Sequence, residues 1–126
     1  ESTLVNIQKV NIGSKQNWLA SCSLGGAAFC LDTAREYVKS RKQFGKPLSD
    51  FQNIQFKLAD MATDLVASRL MVRNAARMID TQVKIFSKKK SNSWKHPEKT
   101  MYSAMAKRYA TDSCFDVNFF SHLNRD

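Results

Sequence analysis

From Trp18 to Ser40 apolar residues recur at steps of three and four, with Leu24, Ala27 or Ala28, Leu31, Ala34 and Val38 forming one stripe. That is the period of a helix with one buried face. A longer run of the same kind holds Ile54, Leu58, Met61, Leu65, Val72, Ala76 and Ile79. It predicts a helix from Asp50 to Thr81 or slightly beyond, with no Gly or Pro to interrupt it. A third helix opens at Pro97-Glu98 and continues through Met101, Met105, Ala106, Ala110 and Cys114. Proline is tolerated and glutamate favoured in a first turn. Ahead of these, Leu4, Val5, Ile7, Val10 and Ile12 alternate only loosely up to Gly13-Ser14. Residues 1–17 therefore read as a short strand, or as the remnant of a preceding domain or linker, and 18–126 as the helical domain. The pattern predicts an all-α, up-and-down helical bundle. Within the first helix Gly25, Gly26, Ala27 and Ala28 are small enough to admit a neighbouring helix closely, at a cost of about 1 kcal/mol per glycine.

Between the first two helices lies Arg41-Lys42-Gln43-Phe44-Gly45-Lys46-Pro47-Leu48. Gly45 suits the left-handed conformation that ends a helix, and Pro47 cannot continue one. Ser49-x-x-Gln52 then reads as a capping box that starts the next helix. This corner brings together a planar guanidinium fork on Arg41, an aromatic face on Phe44 and an amide on Gln52. Such groups suit a nucleotide. The plainer reading pairs Arg41 with an acid such as Asp50 and buries Phe44 in the bundle.

Composition narrows the class. The 126 residues, 43% hydrophobic and 25% charged, suit one globular domain. The longest uncharged run, between Lys15 and Asp32, falls short of the roughly 20 apolar residues of a membrane span. Cys22, Cys30 and Cys114 show neither paired spacing nor a histidine cluster, which suggests free thiols and no metal centre. The opening residues have the make-up of neither a signal peptide nor an arginine-rich transit segment. Of the net charge of +9, six lysines against Glu98 place +5 in 83–99, which reads as a flexible basic loop. With Trp94 it offers an alternative function, a basic module for nucleic acid or anionic membrane. Arg69, Arg73 and Arg77, four apart, share one helix face that is either solvated, subunit-contacting or an anion cradle. His96 and His122 have no marked nucleophile partner, and Asp60 and Asp64 read as solvated positions beside the core stripe.

The corner motifs R-x-x-F-G-x-x-L (Arg41 to Leu48) and Q-x-x-Q-x-x-L-A-D-M (Gln52 to Met61), with ASCSLGGAAFCLDTAREYVKSRKQFG upstream, resemble the C-terminal domain of the flavin-dependent acyl-CoA dehydrogenases. The resemblance is dense from Leu19 to Asp80 and resumes over 103–115, and ASCSLG with RLMVRNAA is most similar to a short branched-chain branch of that family. It implies a four-helix bundle whose last helices are missing here, with the basic loop as an insertion. It further implies FAD as cofactor, reached by Arg41, Phe44 and Gln52 while a neighbouring subunit supplies most of the flavin site. Acyl-CoA substrate, electron-transfer flavoprotein, a homo-oligomeric parent and the mitochondrial matrix come with it. Nucleic acid and a membrane span do not.

In this family a carboxylate takes the substrate's α-proton as the β-hydride passes to flavin N5. In the branches that place this base beside the substrate-binding arginine, the two positions match Lys15 and Gln16 here. No glycine follows Gly45, so a glycine-rich flavin segment is lacking. The expectation is a chain with no catalytic residues of its own, inactive alone, serving as part of a dehydrogenase or as a non-catalytic partner of a full-length one. An incomplete bundle would also leave an apolar stripe open to self-association.

Overall fold

The computed structural model describes the backbone of residues 2–88 and 97–123 and the side chains of 15–81 and 100–118. Three long helices, α1 (Ser2–Ser40), α2 (Gln52–Lys88) and α3 (Pro97–Leu123), pack against one another in pairs. Between α1 and α2 sit a miniature hairpin, β1 (Lys42–Gln43) with β2 (Lys46–Pro47), and a single 3₁₀ turn at Leu48–Asp50. Apart from that hairpin the described chain is all-α, as the periodicity predicts.

Two layers of core fix the helix directions. Next to the hairpin, Ala27 and Leu31 of α1 meet Met61 and Leu65 of α2 and Cys114 and Val117 of α3. Further along, Ala20 meets Val72 and Ala75 of α2 and Ala106 and Ala110 of α3. Leu24 touches both layers. Rising numbers on α1 thus face falling numbers on α2, so α1 and α2 are antiparallel, as are α2 and α3. The far layer is mostly alanine, which draws the helices together. The near layer holds the larger side chains, each contributing about 1.5–3 kcal/mol through burial. Across the α2–α3 seam the Tyr109 hydroxyl donates to Asp64 Oδ1 at 3.2 Å.

Several expectations give way. The backbone is helical from Ser2, so the described part of this stretch, 2–17, contains no strand. Leu4 and Ile7 stand three apart and Val5 and Ile12 seven apart, spacings that serve a helix equally well. The second helix runs on to Lys88, so 83–88 of the supposed basic loop is helical, as is its end at 97–99. Residues 89–96, with Trp94 and His96, lie outside the described residues, and so does the side chain of His122. Ala75 at 1% exposure, one step before the predicted Ala76, completes the stripe after Val72. Met101 and Met105 are 51% and 46% exposed, off the buried face of α3. Among the described residues no helix packs onto Gly25 or Gly26, whose missing Cβ positions have nothing within 4 Å. Among the described residues no helix is long and apolar enough to cross a membrane.

Candidate functional site

At the bundle end α1 closes with the Arg41 amide donating to Tyr37 O at 2.9 Å and the Ser40 hydroxyl donating to the same carbonyl at 3.0 Å. Lys39 in this last turn suits the negative end of the helix dipole. The chain then turns back on itself. Lys42 pairs with Pro47 and Gln43 with Lys46, and the Leu48 amide donates to Arg41 O at 2.9 Å to shut the loop. The two turn residues, Phe44 (φ 52°) and Gly45 (φ 77°), both have positive φ, as the tight turns that match strand twist require. Left-handed geometry at Gly45 agrees with the expectation from sequence, but it serves a hairpin turn and not a helix terminus. A two-residue hairpin turn needs it at Phe44 as well, at a cost of about 1–2 kcal/mol for a residue with a Cβ.

The expected capping box is not formed. The Ser49 hydroxyl donates to Asp50 Oδ1 at 3.4 Å and the 3₁₀ turn moves the helix start past it. Phe51 caps α2 instead, its carbonyl accepting the Ile54 and Gln55 amides at 3.0 and 3.1 Å. Gln55 reaches back, donating from Nε2 to Ser49 O at 2.8 Å, and ties the turn to the helix. Neither Phe51 nor Gln55 stood out from its residue type. The second Gln of Q-x-x-Q was the available signal.

Arg41, Phe44 and Gln52 are all exposed, Phe44 at 91%. Arg41 makes no ion pair among the described residues, which removes the expected alternative of a bridge to Asp50, and Phe44 is not a core plug. Its ring stands edge-on to Phe51 with centroids 6.4 Å apart. Lys42 and Lys46 are exposed on the same hairpin. The corner therefore presents a guanidinium, an aromatic face, an amide and two ammonium groups to solvent. This set can take a phosphate and a flat heterocycle.

Asp60 and Asp64 open instead onto a groove of about 380 Å³ that Lys57 and Asp116 also line. Among the described residues no His, Cys, Asp or Glu cluster has metal-binding geometry. Arg69, Arg73 and Arg77 are exposed along α2.

The model of the acyl-CoA dehydrogenase C-terminal domain matches residues 17–118, a span that contains the whole hairpin corner. The chain belongs to the acyl-CoA dehydrogenase family. It is 49% identical over 113 residues to the mitochondrial isobutyryl-CoA dehydrogenase of Dictyostelium discoideum, covering 90% of this chain and 22% of that protein. It is 43% identical over 99 residues to the caffeyl-CoA reductase-Etf complex subunit CarC of Acetobacterium woodii, covering 79% of this chain and 22% of that protein. Among solved structures, butyryl-CoA dehydrogenase from Megasphaera elsdenii superimposes with a TM-score of 0.71 at 35% identity, covering 90% of this chain and 26% of that one. The chain thus spans about a quarter or less of the length of these family members.

Proposed function

We propose that the chain contributes one wall of an FAD site in an acyl-CoA dehydrogenase that oxidises a short branched-chain acyl-CoA across its α and β carbons. The observation that carries this is the Arg41 guanidinium, exposed and without a carboxylate partner among the described residues, at the base of the hairpin whose turn holds a 91% exposed Phe44. Arg41 would hold the pyrophosphate, two N–H groups to two oxygens. Phe44 would lie against the adenine or the isoalloxazine edge, and the Gln52 amide would hydrogen-bond the cofactor from the head of α2. Bound flavin supplies hydride acceptance, while the residues named here bind and orient.

The remaining assignments follow the family. The 49% identity to a mitochondrial isobutyryl-CoA dehydrogenase favours a branched acyl-CoA substrate and the mitochondrial matrix. The relative named as part of an Etf complex favours electron-transfer flavoprotein as electron acceptor. A homo-oligomer would place the corner against a cofactor held by a second subunit. In the branches of the family that place the base beside the substrate-binding arginine, the two positions match Lys15 and Gln16 here, and on this reading the 126-residue chain by itself has no turnover.

Contacts from one side only cannot offset the entropy of immobilising so large a ligand, so FAD affinity of the chain alone is weak. The test is an amide-resolved NMR titration with millimolar FAD. Shifts should centre on Arg41, Phe44 and Gln52, shrink with riboflavin, which lacks the pyrophosphate, and vanish in Arg41→Ala. Shifts that spread elsewhere, or that survive Arg41→Ala, refute the assignment.

A further inference from the structure

The three groups of the proposed flavin wall sit on two separate pieces of backbone. Arg41 and Phe44 belong to the hairpin, which the 3₁₀ turn at Leu48–Asp50 continues, whereas Gln52 opens α2. Between the two pieces Phe51 is extended, with φ −84° and ψ 121°. Its amide closes the 3₁₀ turn on Leu48 O at 3.2 Å, and its carbonyl opens the helix by accepting the Ile54 and Gln55 amides at 3.0 and 3.1 Å. The helical ladder is therefore broken at Phe51. Rotation about its two soft backbone dihedrals would swing the hairpin against the start of α2, and so Arg41 and Phe44 against Gln52. At its other end the hairpin is tied to α1 by the Arg41 amide on Tyr37 O.

One side chain spans the break. Gln55 donates from Nε2 to Ser49 O at 2.8 Å, six residues back. Among the described residues that carbonyl takes no backbone amide, so the side chain satisfies an acceptor that the interrupted ladder leaves over. The donor is itself anchored, because the Gln55 amide is held by Phe51 O in the first turn of α2. The Phe51 ring, edge-on to Phe44 at 6.4 Å, steadies the turn tip but belongs to the break and not to the helix beyond it. The Gln55 strap is what joins α2 proper to the turn that carries the hairpin.

We infer that Gln55 is a positioning residue of the flavin wall. It sets the distance and angle at which the Gln52 amide meets a ligand already held by Arg41 and Phe44. The role rests on the flavin reading for its ligand, whereas its geometry stands on the bond from Gln55 to Ser49 O. A side chain that only capped α2 would change the stability of the helix and leave the mutual placement of the three groups alone. Placement matters because a looseness of about 1 Å is enough to spoil a binding constellation.

Gln55→Met tests this, since it keeps the length and helix propensity of the side chain and removes the donor. In the ligand-free chain, NMR residual dipolar couplings of the hairpin amides should fit the alignment frame of α2; in the variant they should shrink or need a frame of their own. With FAD added, the titration slope at Gln52 should fall about two- to tenfold, the equivalent of one hydrogen bond, while the shifts at Arg41 and Phe44 persist. Tyr109→Phe, which loosens the α2–α3 seam away from the corner, should leave both readouts as in the wild type. Hairpin couplings that keep the common frame in Gln55→Met, or a Gln52 slope equal to that of the wild type, overturn the role of Gln55 while the flavin reading stands on the loss of shifts in Arg41→Ala. Wild-type shifts that survive Arg41→Ala remove the flavin reading, and this role with it, whatever the couplings show. If Gln55→Met loses helicity by circular dichroism, Gln55→Glu decides through the couplings, because the ionised carboxylate has the same length and can only accept.

Discussion

The ring of Phe44 meets that of Phe51 edge-on, centroids 6.4 Å apart and planes inclined at 72°, although Phe44 sits at the tip of a turn with φ 52°. The aromatic contact, worth about 0.5–1.5 kcal/mol, offsets part of the left-handed strain. Since 91% of Phe44 remains exposed, it adds little burial to the fold. Strain held at an exposed aromatic, with little burial in return, supports the cofactor contact proposed for Phe44.

Phe44→Asn should therefore separate stability from function. Asn tolerates positive φ, and Asn-Gly is the favoured pair for such a turn. The urea midpoint should rise by an equivalent of up to about 1 kcal/mol. The FAD-induced shifts at the corner should weaken in the same variant. A fall in the midpoint would mean that the Phe51 contact outweighs the strain.

The bond from the Tyr109 hydroxyl to Asp64 crosses the α2–α3 seam at a half-buried position. Tyr109→Phe keeps the ring and deletes the donor, so stability should drop by about 0.5–1.5 kcal/mol. In a double-mutant cycle Asp64→Asn, which still accepts, should cost less than Tyr109→Phe. Equal losses in urea unfolding would assign the effect to charge instead of the hydrogen bond.

Ser68 is fully buried on α2, and its hydroxyl finds no hydrogen-bond partner among the described residues. Burying an unpaired hydroxyl is unfavourable, and alanine is the better helix former. Ser68→Ala should thus be neutral or stabilising by up to about 1 kcal/mol in thermal or urea unfolding. Leu65→Ala, one turn away at 7% exposure, should cost about 2–5 kcal/mol. A large loss at Ser68 would show that its hydroxyl has a partner in solution.

The buried face was legible wherever the 3.6-residue period was long enough to be unambiguous. Leu31, Val38, Met61, Leu65 and Cys114 all lie inside, as their spacing predicts. Residues 1–17 were not legible, because a few loosely alternating apolar residues satisfy a helix and a strand alike. The corner was located correctly, since Arg41, Phe44 and Gln52 lie within one short stretch between two periodic segments. Its form was missed for a local reason. Nothing in a Phe announces positive φ, and the signature Ser49-x-x-Gln52 competed with a 3₁₀ turn that moved the cap to Phe51.

Cys114 lies in the core layer beside the hairpin at 2% exposure, whereas Cys22 is exposed. Burial raises the Cys114 thiol above its ordinary pKa, because a thiolate there would lose its hydration. The thiolate is the reactive form. Iodoacetamide near neutral pH should therefore modify Cys22 in the folded chain and reach Cys114 only once urea unfolds it, as read by peptide mass spectrometry. The same shift makes stability depend on pH. The folded pKa lies above the unfolded value of about 8.5, so this stabilisation is complete below that value and is lost as pH rises through the folded pKa. The urea midpoint of the reduced chain should accordingly decline above about pH 8.5. Cys114→Val, which fills similar space without an ionisable group, should remove that part of the decline; an identical decline in the variant would place its origin in other groups.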